Sequence, residues 1–511
     1  MKRILAIFLS MLMILCLAGC GSKTEPASPA QETQDAANTS PAGPGGNPPD
    51  GTPPAGGPGA PGGNPPDGTP PAGGPGGPGG NPPDGTPPAG GPGGPGGPGG
   101  PGGPGGADIE YKGATEITSA DIQSGKAYSS TASNENALLI KTSDAVTIND
   151  PTVTKAGDAD GGDNSSFYGV GAAVLAMGGT TTTITGGTIT TGAFGANGVF
   201  SYGGNGGRNG AEGDGTTVII RGTTIVTTGS GSGGIMTTGG GRTYAYDLNV
   251  TTSGQSSAPI RSDRGGGIVV VEGGTYTSNG LGSPTIYSTA DITVSKAKLV
   301  SNLSEGVCIE GLNSITLNNC ELTANNTKCN SNASFFDSIM LYQSMSGDAA
   351  SGTASFNMTG GSLASKNGHV FHVTNTSAVI TLEGVRIVNE DKDNVLLSVC
   401  ADGWSGGSNV AVLRAVGQEL DGTLLVGSDS KLTLELTSGS SFTGVIGGNI
   451  VNAKGATVST EVGEVSVTID ATSTWTLTGD TYITEFNGDA SSIISNGCSL
   501  YVNGVKLTGT R

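Results

Sequence analysis

The chain runs to 511 residues, 93 of them Gly, with 5% aromatic residues, two His and a formal net charge of −19. So acidic a surface argues against nucleic acid or anionic lipid as a partner recognised by charge, because both require basic patches. The same balance is compatible with cations and with neutral or cationic glycans.

In chain order, Lys2 and Arg3 followed by the apolar run Ile4–Leu15 read as an export signal. A buried core helix is the plainer alternative, and the run is marginal for a spanning helix, which needs about 20 residues. Leu17-Ala18-Gly19-Cys20 resembles the lipobox of bacterial lipoproteins. That resemblance implies cleavage after residue 19, lipidation of Cys20, and anchoring in the outer leaflet of a membrane; with the long segment that follows, display at the cell surface or wall is expected. Residues 1–20 are therefore a leader ending at its anchor. Residues 21–106 are mostly Gly, Pro, Ala, Thr and Asp, with a 17-residue unit that places Asn47, Asn64 and Asn81 in register. Gly-Gly-Pro triplets follow, too few and too Gly-rich for a collagen triple helix. The segment reads as a disordered tether, reaching ~270 Å if fully extended and ~50 Å as a coil.

Residues 107–394 carry the main signal. Nine times an aliphatic residue is followed five positions later by a second apolar one across a turn: Ile148/Val153, Ile184/Ile189, Ile220/Ile225, Ala245/Val250, Val271/Tyr276, Val294/Leu299, Leu317/Leu322, Met358/Leu363 and Leu382/Ile387. Units of this length that bury a core only by stacking are solenoids. Each divides into three short strands rich in β-branched residues and bounded by Gly, Asn and Asp. The expected fold is all-β: a right-handed parallel β-helix with three strands per coil. The alternative folds are a β-propeller or a β-sandwich; a propeller needs about 40 residues per blade, longer than most units here. Over about Ala137 to Asn394 the coil pattern resembles the pectin-lyase-like superfamily, which includes polysaccharide lyases, glycosidases and adhesin passengers. The segment Ile109–Asn136 is expected to cap the first coil. Insertions interrupt the units at Gly157–Gly169, Gly203–Gly215 and Asn326–Gly352, where binding usually resides in solenoids. Residues 395–511 are expected to form irregular coils and a cap, with Leu436/Phe442 and Ile469/Trp475 recurring at 33 residues.

Aligning the first strand of each coil gives a ladder of Val199, Ile235, Ile260, Ile286, Val307, Ile339 and Val370. Because side chains alternate along a strand, the next residues face outward. The outer face then holds Phe200, Met236, Arg261, Tyr287, Cys308, Met340 and Phe371, and beyond them Tyr202, Thr238, Asp263, Thr289, Glu310, Tyr342 and Val373. Aromatic faces suit sugar rings, so Phe200, Tyr202, Arg261, Asp263, Tyr287, Tyr342 and Phe371 form the expected ligand face. The competing reading packs these side chains beneath the insertions as a satellite cluster.

Arg261, Asp263, Arg264 and Glu310 are the candidate catalytic groups. Lyases of the resembled fold use an Arg or Lys base with Ca²⁺. Asp263 and Glu310, read as two coils or roughly 10 Å apart at the strand spacing, approach the separation of an inverting hydrolase. The plain alternative is an Arg–Asp surface pair within one turn.

Asp158, Asp160 and Asp163 alternate with glycines in a manner that suits a Ca²⁺ loop. The EF-hand pattern fails there at Gly162 and Gly169. His369 and His372 are read on opposite faces of a strand, with His372 buried and hydrogen-bonded. Of the five Cys after the leader, Cys320, beside the turn residues Asn318 and Asn319, is the expected exception to burial. No nucleic-acid site is expected. The leading functional reading is a surface-displayed, non-enzymatic, adhesin-like or glycan-binding β-helix. The alternative is a polysaccharide lyase or glycoside hydrolase in the same groove. Ice binding through Thr arrays is weaker, since Thr-x-Thr does not recur on every coil.

Overall fold

The computed structural model describes residues 109–206 and 212–511. The expected leader, its Cys20 and the Gly/Pro-rich segment expected to be a tether lie outside the described residues. Successive strands stack into three long parallel sheets of 15, 14 and 10 strands, here sheets A, B and C, in which each strand pairs with its counterpart one coil away. One coil comprises Val199–Tyr202 in sheet A, Thr217–Arg221 in sheet B and Thr224–Thr227 in sheet C. The described residues form a right-handed parallel β-helix.

The paired aliphatics explain the stacking. The first member of each pair lies in sheet B, and the nine pair residue on residue from Ile148 to Leu382. The second members do the same in sheet C from Val153 to Ile387. The five-residue spacing follows from the turn between them. In all nine, the residue two after the first anchor has positive φ, from 47° at Asp150 to 70° at Gly273. A left-handed residue there bends the chain sharply and returns the next inward position to the core. Eight of these positions hold Gly, Asp or Asn; the ninth is Lys296, at φ 55°.

The corner from sheet C to sheet A is built differently. Ser232, Ser257, Ser283 and Ser304 form a ladder in which each hydroxyl accepts from a backbone N–H of the preceding coil. This satisfies donors that the turn leaves without a sheet partner. The insertions leave the helix at this corner and at the one from A to B. Lys155, fully buried at the end of its sheet C strand, donates to the Ala132 and Gly157 carbonyls.

One expectation about the ends needs adjustment. The segment expected to cap the first coil is itself a coil: Gly113–Ile117, Asp121–Ser124 and Ala127–Ser130 pair in parallel with the strands above. Toward the C-terminus, sheet C ends at Arg386–Asn389, and the coils continue on sheets A and B alone. There Leu436 pairs with Ile469 and Phe442 with Trp475, as their 33-residue recurrence requires. A hairpin of Ile450–Val451 and Thr457–Ser459 leaves these late coils and reaches back to the loop before Asp337. The Ala453 N–H donates to the Ser334 carbonyl at 2.8 Å, and Lys454 Nζ to that of Ala333 at 3.3 Å.

Candidate functional site

On sheet A, Val199, Ile235, Ile260, Ile286, Val307 and Ile339 pair in register along the inner face. At the next coil the register corrects the sequence alignment by one residue: Ile339 pairs with Phe371, not Val370. Phe371 is therefore a core residue, 5.8 Å from the Phe356 ring, and Val373 is core as well. His372 takes the outward place above Met340. Adjacent apolar residues defeat a period-2 alignment, because either can serve the inward position.

Most of the outer aromatic column is covered. Phe200, Tyr202 and Met236 pack with Leu139, Leu175 and Met177 under the insertion that carries the short helix Gly162–Ser166. Tyr168 of this insertion stands edge-on to Tyr202 at 5.7 Å. Farther along, Cys308, Met340 and Tyr342 form a second cluster, closed by Trp404 at 4.9 Å from the Tyr342 ring. The satellite-cluster reading therefore holds for Phe200, Tyr202 and Tyr342.

Between the two covers Arg261 and Tyr287 stay partly exposed, with Tyr287 also packed against the second cluster. The Arg261 guanidinium lies 5.8 Å from the centroid of the half-buried Tyr287 ring. Both line a notch of about 190 Å³ with Ser256, Ala258, Pro284 and Asn330. Beneath it the charged groups form a closed network. Arg261 pairs with Asp263 at 2.7 Å and donates to the Ser256 carbonyl at 3.0 Å. Asp263 is 4% exposed. Burial pushes its carboxyl up to about 6, against the pull of Arg261 and with a further push from Asp348 and Glu310. Glu310, 1% exposed, accepts from Tyr287 Oη at 2.5 Å, from Tyr342 Oη at 3.2 Å and from the Ser344 hydroxyl. Burial raises its carboxyl too, while those hydroxyls hold it down.

Arg264 does not join Arg261. It bonds Asp348 at 2.6 Å, reaches Asp163 at 3.4 Å and lies 4.2 Å over the Phe167 ring, so it ties two insertions to the helix. The Arg–Asp pair within one turn exists as the plain reading has it, but beneath the surface rather than on it.

The proposed Ca²⁺ loop does not assemble. Asp158 Oδ1 accepts the Phe194 N–H at 2.8 Å, Asp163 turns to Arg264, and the Asp160 N–H donates to Asn134 Oδ1. Among the described residues no three or more His, Cys, Asp or Glu side chains are grouped to hold a metal. The Asp158 and Asp163 carboxylates serve different neighbours, and a helix that begins within the run at Gly162 separates them.

Two further expectations change. His369 and His372 are not on separate sides: their rings lie 6.4 Å apart and both Nδ1 atoms meet Ser398 Oγ, at 2.7 and 2.8 Å. His372 is fully buried and hydrogen-bonded as expected, with Nε2 3.6 Å from Asp402. Cys320 is wholly buried, its Sγ 3.3 Å from the Val294 carbonyl, because the tight turn directs it inward; Cys329 and Cys498 are the partly exposed thiols. Sequence reasoning also missed the buried acids Glu305, Asp337 and Asp402, which gave no spacing signal because they stand on different coils or loops. No protein-family model, curated protein or solved structure matches the chain.

Proposed function

We propose that this chain is a lipid-anchored, surface-displayed β-helix that binds glycans, adhesin-like and non-enzymatic, with its contact at the Arg261–Tyr287 notch. The carrying observation is that Tyr287 alone among the outer column's aromatics is half-buried rather than buried, and it lines the notch beside the Arg261 guanidinium. An apolar face flanked by polar hydrogen-bonding groups is what a sugar ring requires. The export segment, the lipobox-like residues ending at Cys20 and the long tether support display away from a membrane. Kinship with the pectin-lyase-like superfamily is part of the same proposal and rests on the coil pattern.

The enzymatic alternative draws on Asp263, whose carboxyl is pushed to about 6, since perturbed acids mark active sites. It is weaker because both Glu310 oxygens are engaged by hydroxyls. Ice binding is weaker still, because Thr-x-Thr at Thr152/Thr154 and Thr188/Thr190 gives way to Lys298/Val300 and Glu321/Thr323 on later coils of sheet C. A glycan array probed with the full chain tests the binding reading. Arg261→Ala and Tyr287→Ala should each abolish the signal, and an array without a hit would refute it. Cleavage of a polysaccharide by the same preparation would move the reading to the enzymatic one. Fatty-acid labelling lost in Cys20→Ser tests the anchor.

A further inference from the structure

Two coils before the end of the three-sheeted region, the C-to-A corner encloses two acids that have no cationic partner among the described residues. Val307 pairs with Ile339, which places Asp337 one coil above Glu305, about 4.8 Å at the strand spacing. Asp337 is 1% exposed and neither of its carboxylate oxygens accepts a hydrogen bond. Glu305 is 4% exposed and is bonded by the Ser304 hydroxyl and the Asn326 side chain. Asn326 bridges the pair, its Nδ2 donating to the Asp337 carbonyl at 3.2 Å. Asn326 is itself fully buried, and its Oδ1 makes no hydrogen bond. The third acid nearby, Asp402, is already taken up by Ser334 and His372.

A buried carboxylate without a counter-charge or donors is costly by several kcal/mol, and here one such group, Asp337, shares a corner with a second uncompensated acid and an orphaned amide oxygen. We propose that Glu305, Asp337 and Asn326 form an all-oxygen site for a hard divalent cation of the Ca²⁺ type. Two carboxylates match a double positive charge, and the orphaned atoms are all oxygens, the ligand type hard cations prefer. Ca²⁺ suits so enclosed a corner better than Mg²⁺, which dehydrates reluctantly and keeps several waters. Burial and mutual repulsion push the Asp337 carboxyl up when no cation is bound, so protons compete with the metal. The cation would pin the loop after Asn326 to the coils; that loop also supplies Asn330 to the notch.

The test uses the full chain stripped with EDTA, with Ca²⁺ binding followed by equilibrium dialysis and stability by thermal unfolding. The expected result is one Ca²⁺ per chain and a rise in Tm of about 5 °C, both lost in Asp337→Asn and both retained in Asp160→Asn. Asn326→Ala, which leaves the charges in place, should weaken binding about tenfold, and so serves if Asp337→Asn does not fold. A parent chain that retains no Ca²⁺ and whose Tm is unmoved by it overturns the proposal. Ca²⁺ binding undiminished in both corner variants overturns it equally.

Discussion

The corner between sheets B and C and the corner between sheets C and A do the same mechanical job in opposite ways. At the first, nine successive turns share one geometry, a left-handed residue two positions after the anchor, and nothing projects from it. At the second, the turns vary in length, insertions leave the coil, and polar residues are buried: the serine ladder, Lys155, Glu305 and Asp337. Uniform turns therefore set the register of the solenoid, and variable turns build what lies outside it. Regular backbone geometry marks the first corner, while the buried polar groups collect at and beyond the second.

Substitutions can break that contrast. The largest effect is expected at Phe371, where the register correction turns an outer residue into a core one. Phe371→Ala should cost about 3–5 kcal/mol in denaturant unfolding and leave glycan binding of the folded fraction unchanged. A nearly neutral Phe371→Ala would restore the outward assignment. Next comes Asp337→Asn in EDTA, which should raise stability at pH 7 by about 1–3 kcal/mol by removing an unsatisfied acid. Because the folded carboxyl is raised, its stabilising, protonated form prevails at low pH and is lost as pH climbs from about 4. The parent–variant gap should thus narrow toward pH 4, as read by unfolding at several pH values. Asp263 behaves the same way over a bounded window. Its folded value of about 6 exceeds its ordinary 3.8, so its contribution is full below about pH 4 and declines up to about pH 6. Asp263→Asn should flatten that slope in a pH series. The smallest change is at the uniform corner: Lys296→Asn replaces the one long side chain held at positive φ and should stabilise by less than about 1 kcal/mol.

The two corners also explain how far the sequence could be read. A turn of constant length converts spacing into register, so Ile148 through Leu382 and Val153 through Ile387 are legible in the sequence. Across the variable corner spacing carries no register, and at Val370 and Phe371 two adjacent apolar residues leave the inward position ambiguous. Arg261 and Tyr287 were legible as neighbours because their coils differ by only one short turn. The cover over Phe200 and Tyr342 was not legible, since an insertion's path depends on contacts such as those of Arg264 with Asp163 and Asp348, 101 and 84 residues distant. The corner acids were hidden for the same reason: Asn326, Glu305 and Asp337 converge only after a loop folds back.

The hairpin that reaches from the late coils to Ser334 has a consequence under load. A solenoid pulled from one end can peel away coil by coil, each step breaking only nearest-neighbour ladders. The bonds from Ala453 and Lys454 to residues about 120 positions earlier close a loop around the coils between them. Force entering through the first coil would therefore unravel the early coils singly, then meet a block that must yield as one.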